Sequence, residues 1–172
     1  HSLTKIMIDK TFPYFAGKKL EFSLNISLED INEKGTCGYL FEKINEFNLG
    51  RLLTLELVES EGIERFDEVM KFINKAKSNG CKIAIDDFGT GYSNFDYLLK
   101  LNADVIKIDG SLVKNVNINT HHRKLVSMIV DFAKNADMKV VAEFVHSREV
   151  FDTISALGVD YAQGYFIEIP KE

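Results

Sequence analysis

The chain has 172 residues, 45% of them hydrophobic and 27% charged, with a formal net charge of -5. That length carries a proper core and that composition excludes a disordered polypeptide. The acidic balance, with no cluster of Lys or Arg, argues against duplex nucleic acid as a partner. No run approaches the roughly 20 apolar residues of a membrane span. The start, His1-Ser2-Leu3, has neither a signal-peptide pattern nor an initiator methionine, and reads as a segment of a longer protein. Cys37 and Cys81 stand in no metal or redox spacing, so free thiols and a cytoplasmic location are expected. This segment is expected to make no membrane contact, and any anchor of the parent would lie in other domains.

Short Val- and Ile-rich runs alternate with amphipathic stretches. The pattern predicts strands at about 21–27, 51–59, 82–87, 104–109, 139–145 and 161–167. Between them, Phe66, Val69, Met70, Ile73 and Ala76 predict a helix over about 64–79, closed by Asn79-Gly80. Leu125, Met128, Ile129 and Phe132 predict another over about 120–136, and Ser147 caps a third that Gly158 ends. Such βα repetition predicts a parallel sheet in a single α/β domain with no linker.

Buried parallel strands are nearly continuous apolar runs. Each of these instead carries polar residues near its C-terminal end: Asn25, Glu56 with Glu59, Asp86 with Asp87, Lys107 with Asp109, and Glu143. Gln163 falls near the start of the last one. Any one has an ordinary explanation as a turn former, a satisfied carboxylate or a snorkelling lysine. Together they mark one rim, because parallel strands bring their C-terminal ends to the same side, where active sites of α/β sheets and barrels lie.

The most informative stretch is Lys82-Ile83-Ala84-Ile85-Asp86-Asp87-Phe88-Gly89-Thr90-Gly91-Tyr92, an apolar strand running into two adjacent carboxylates and a glycine-rich loop. Two like charges side by side call for a cation, although an Asp pair can also serve as a cap or turn. Asn25, Glu56, Asp86 and Asp87 offer only oxygen ligands, which suits Mg²⁺, Mn²⁺ or Ca²⁺ rather than zinc. A bridging Asp86 would allow two ions, a recurrent device for phosphodiester cleavage. Lys107 could orient a water or neutralise a phosphate oxygen, with Asp109 keeping it charged and aligned. Glu143 could hold a metal or take a proton, and Gln163 could bond a ligand. A strand-borne lysine also suggests a Schiff-base aldolase, but neighbouring carboxylates raise its pKa, the wrong direction for that chemistry.

The motifs Asn25-Ile26-Ser27, Glu56-Leu57-Val58-Glu59-Ser60, Asp86-Asp87-Phe88-Gly89-Thr90-Gly91, Ile106-Lys107-Ile108-Asp109, Val141-Ala142-Glu143 and Asp160-Tyr161-Ala162-Gln163-Gly164-Tyr165 occur in order. In these the chain resembles the EAL domain, the bacterial phosphodiesterase module that linearises cyclic di-GMP. The resemblance implies a (β/α)8 TIM-type barrel, here incomplete, with about six of eight strands, as the C-terminal three-quarters of such a domain. It implies one or two Mg²⁺ or Mn²⁺ ions held by Asn25, Glu56, Asp86 and Asp87. By the same resemblance Lys107 contacts the attacking water, Glu143 acts at the metal centre or as a base, Gln163 lines the site, and Glu59 supports the loop after Asp86-Asp87.

Two departures stand out. The Glu-Ala-Leu signature and the first strands are absent, and with them a glutamate ligand and a substrate-contacting arginine. The segment alone is therefore expected to be inactive or very weak, and a homodimer is expected to cover the open edges near 21–27 and 161–167. The second is Glu143-Phe144-Val145-His146, where the family commonly shows Glu-Gly-Val-Glu. His146 there replaces an acid that supports the catalytic loop. The expected function is hydrolysis of cyclic di-GMP to linear pGpG in bacterial signalling, the alternative being a module that binds the dinucleotide or a protein partner without cleavage. Sensory or cyclase domains commonly accompany such modules.

Overall fold

Helix and strand alternate along the chain as the apolar patterning predicts. The computed structural model describes residues 3–58, 65–90 and 95–170. The chain groups into two units, His1–Ala84 and Ile85–Glu172.

In the first unit, α1 (Leu3–Ala16) buries Ile8 and Phe12. Phe12 and Phe15 meet Phe22 of β1 (Phe22–Asn25) at ring-centroid distances of 5.8 and 4.2 Å. Ser27 starts α2 (Leu28–Asn32) by a capping box with Asp30, satisfying two backbone donors that the helix leaves over. α3 (Lys34–Glu46) sends Leu40, Phe41 and Ile44 into the core. β2 (Leu53–Val58) pairs in parallel with β1, from Phe22 opposite Leu53 to Asn25 opposite Glu56. It begins later than the expected 51, because Gly50–Leu52 winds as a 3-10 turn. On α4 (Phe66–Ser78), Val69, Ile73 and Ala76 are buried as expected, with Phe72 against Phe41 completing the stripe. Asn79 caps it, and Gly80 follows at φ 86°. β3 (Lys82–Phe88) then leads into the second unit.

There, α5 (Phe95–Leu101), β4 (Val105–Ile108), α6 (Gly110–Val113), α7 (Thr120–Asn135), β5 (Lys139–Ala142), α8 (Arg148–Leu157) and β6 (Tyr161–Ala162) follow. β4 and β5 are parallel, with Ile108 opposite Ala142, and β5 and β6 are parallel, with Ala142 opposite Ala162. Hydrogen bonding orders the six strands β1-β2-β3-β4-β5-β6, the order of successive βα units and the expected fold class. Ser147 accepts from the Val150 N–H to cap α8, which Gly158 ends in the left-handed region, as expected. On α7 the buried face is Val126, Ile129, Val130 and Ala133, one step round from the expected Leu125–Met128 stripe, and Met128 is exposed.

The last two strands are shorter than predicted. β5 stops at Ala142 because Phe144 takes φ 56°, and β6 stops at Ala162 because Gly164 takes φ 152°; neither angle continues a strand. Gln163 therefore lies just past the end of β6, not near the start of a long strand.

Cys81 is buried just before β3, and burial pushes its thiol up to about 11. Between pH 9 and 11 the unfolded chain then loses this proton while the fold keeps it. Stability present below pH 9 is lost across that window, by about 2 kcal/mol. Urea titrations at pH 8.5 and 10.5 should show the loss, and Cys81→Ala should abolish that part of it.

Candidate functional site

The second unit carries most of the expected rim, set by a backbone ladder. The Asp109 N–H donates to Phe88 O at 3.2 Å, Glu143 N–H to Ile108 O at 3.1 Å, and Gln163 N–H to Ala142 O at 2.9 Å. Each polar residue thus follows directly on the end of its strand, held by the neighbouring strand's last pairing.

Lys107 is the centre of the polar group. Its residue is only 6% exposed, on a strand otherwise buried, and its Nζ lies 2.8 Å from Asp86 Oδ1 and 2.9 Å from Glu143 Oε1. Burying an ammonium costs heavily unless carboxylates answer it, and here two do. Asp87 adopts φ 56°, and its N–H donates to Asp86 Oδ1 at 3.0 Å, which fixes the pair of carboxylates at the end of β3. Burial, then Asp86 and Asp109, push the Asp87 carboxyl above its ordinary value, against the pull of Lys107. One oxygen from each of Asp86, Asp87 and Glu143 lies within 4.8 Å of the others. A carboxylate triad of this kind fits a hard divalent cation.

Asp109 departs from expectation. Its Oδ1 accepts from the Ser111 N–H at 2.8 Å to cap α6, whereas the ion pairs described above for Lys107 go to Asp86 and Glu143. His146 Nε2 donates to Lys114 O at 2.9 Å, so its visible support goes to the end of α6. In the first unit, Asn25 at the end of β1 is paired in register with Glu56, two residues before the end of β2, and Glu56 is 9% exposed. Glu59, and Gly91-Tyr92 of the glycine-rich loop, lie outside the described residues.

A cleft of about 370 Å³ opens beside the triad, lined by Asp109, Gly110, Glu143, His146 and Gln163 together with the rings of Phe144 and Tyr165. The two aromatic walls were not assigned from spacing. Their signal was adjacency: each stands within two residues of a polar rim residue.

Parallel βα units here bring three carboxylates and a buried lysine together at the strand ends, a group that could hold a divalent cation. The family model described as the EAL domain matches residues 1–170, and the chain belongs to that family. Over 151 residues it is 36% identical to a protein of Escherichia coli K12 named probable cyclic di-GMP phosphodiesterase PdeA, covering 87% of this chain and 21% of that protein. Over 150 residues it is 31% identical to the cyclic di-GMP phosphodiesterase PdeB of Shewanella oneidensis, covering 87% and 18%. The chain thus spans about a fifth of these relatives' length. Among solved structures, the PaMucR phosphodiesterase in complex with c-di-GMP superposes with a TM-score of 0.90 at 25% identity, covering 98% of this chain and 77% of that one. The EAL domain of Mycobacterium smegmatis DcpA gives 0.89 at 27%, covering 98% and 79%. Klebsiella pneumoniae BlrP1, in a calcium and cyclic di-GMP complex, gives 0.83 at 26%, covering 94% and 43%.

Proposed function

We propose that this protein hydrolyses cyclic di-GMP to linear pGpG in bacterial second-messenger signalling, and that the second unit carries the centre of the reaction. The observation that bears most weight is Lys107, held between Asp86 and Glu143 beside Asp87. Three carboxylates exceed the single charge of Lys107, and the surplus negative charge favours a cation among them. The reading is further supported by the names of the relatives and by the c-di-GMP complexes of the neighbours.

Mg²⁺ or Mn²⁺, as one or two ions, suits the all-oxygen set. Asp86, Asp87 and Glu143 would hold it, and for Asn25 and Glu56 the support is the family pattern and their pairing in register on β1 and β2. Bound there, a divalent ion supplies positive charge that polarises a phosphoryl oxygen. Lys107 donates to the attacking water or a phosphate oxygen, and Glu143 accepts a proton from that water. Gln163 hydrogen-bonds the ligand. Because β1 and β6 end the strand order, a second copy of the chain would pair with their free edges, giving a homodimer. The protein would act in the cytoplasm; among the described residues no helix is long and apolar enough to cross a membrane.

The test is incubation of the protein, in its full natural length, with cyclic di-GMP and Mn²⁺, with chromatography for pGpG and light scattering for the dimer. Turnover abolished by Asp86→Asn is the expected result. Binding of the dinucleotide without turnover would replace this reading by a receptor.

A further inference from the structure

Phe144 is an anomaly of packing and of backbone. It sits at φ 56°, a region where a bulky side chain is strained, yet its side chain gains little burial in return, since the residue is 59% exposed. The neighbouring chain makes room for it: a Cβ on Gly110 would lie 2.7 Å from Phe144 Cβ and 3.2 Å from Cγ. Its ring meets the His146 ring at 5.8 Å and 66°, an edge contact that sets its tilt. Phe144 lines the cleft together with Glu143 and Gln163. Strain retained without burial, beside a cleft lined by the site's own polar groups, points to a ligand contact.

We infer that Phe144 is a specificity-determining residue, a platform on which a purine base of the bound ligand stacks while its phosphate faces the carboxylates and Lys107. The inference rests on the cyclic dinucleotide reading above. A flat aromatic side chain on a residue 59% exposed, next to polar groups, suits a ligand that is planar and aromatic at one end and charged at the other.

Calorimetric binding of cyclic di-GMP in calcium buffer, with thermal melts in parallel, tests it on Phe144→Gly, Phe144→Leu and Phe144→Tyr. Glycine relieves the backbone strain and removes the ring, so Tm should rise by about 3 °C while affinity falls about tenfold. Leucine keeps Cβ and apolar bulk without a ring, so affinity should fall as far with no gain in Tm. Tyrosine should restore affinity. A merely structural residue would move both readouts together. Unchanged affinity in Phe144→Gly, with binding by the wild type, overturns the platform and leaves the functional reading standing. No binding by the wild type overturns both.

Discussion

Replacing Lys107 by methionine in the protein of full natural length is expected to lower turnover of cyclic di-GMP by about a thousandfold, the scale on which removal of a fixed charge from a reacting oxygen acts. Methionine keeps most of the aliphatic volume, so the buried stem still packs and the loss reports the ammonium. Stability should fall as well. Asp86 and Glu143 would face each other without the cation that now lies 2.8 and 2.9 Å away. For fully buried pairs that loss costs about 3–5 kcal/mol. The Asp86 and Glu143 side chains keep 15% and 20% of their exposure, so solvent takes part of it back, leaving about 2 kcal/mol. Urea unfolding without and with Mn²⁺ separates the two roles. The ion should stabilise Lys107→Met more than the wild type, because the Lys107 ammonium then no longer competes with it for Asp86 and Glu143. Equal stabilisation of both proteins would mean that the triad of Asp86, Asp87 and Glu143 is not where the ion binds.

The parts of this site that could be read from residue order are those fixed by strand geometry. A carboxylate or lysine at the end of an otherwise apolar run must either reach the rim or be buried unpaired, and the second option is too costly. Asp86, Asp87, Lys107 and Glu143 were legible for that reason, and the family motifs supplied their roles. Partner choice was not legible. Asp109 stands two residues from Lys107 and looked like its partner, but the turn into α6 places its Oδ1 on the Ser111 N–H. Two residues along an extended chain share a face, but here the strand has already ended, and a cap wins the carboxylate. The ends of β5 and β6 were misplaced for a related reason. Nothing in apolar patterning reveals that Phe144 and Gly164 take positive φ. The slip on α7 is of another kind: Val126, Ile129, Val130 and Ala133 form an equally good stripe, and Met128 and Phe132 lost to smaller side chains that pack closer. Phe132 still meets Phe95 at 4.6 Å from the margin of that face.

Among the described glycines of the second unit Gly164 has the least freedom to adjust, and Gly164→Ala should be strongly destabilising. At φ 152° only glycine is unstrained, and a Cβ there would lie 2.4 Å from both the N and the O of Val145. Both are backbone atoms, so no rotamer change can relieve the clash. They are also already engaged: the Val145 N–H donates to Gln163 O at 3.0 Å, and Val145 O accepts from the Phe166 N–H at 3.0 Å. Separating the two segments would break both bonds. Strain plus two lost hydrogen bonds amounts to about 3 kcal/mol, or a fall in Tm of roughly 9 °C for a chain of this length. The same movement would draw Gln163 off its bond to Ala142 O and away from Glu143, so binding of cyclic di-GMP should weaken in the surviving folded fraction. Hydrogen exchange locates the effect: the amides of Val145, Gln163 and Phe166 should lose protection first, while those of α7 keep it. A variant less than 0.5 kcal/mol below the wild type, with these amides still protected, would mean that the turn relaxes without cost and does not hold Gln163 in the cleft.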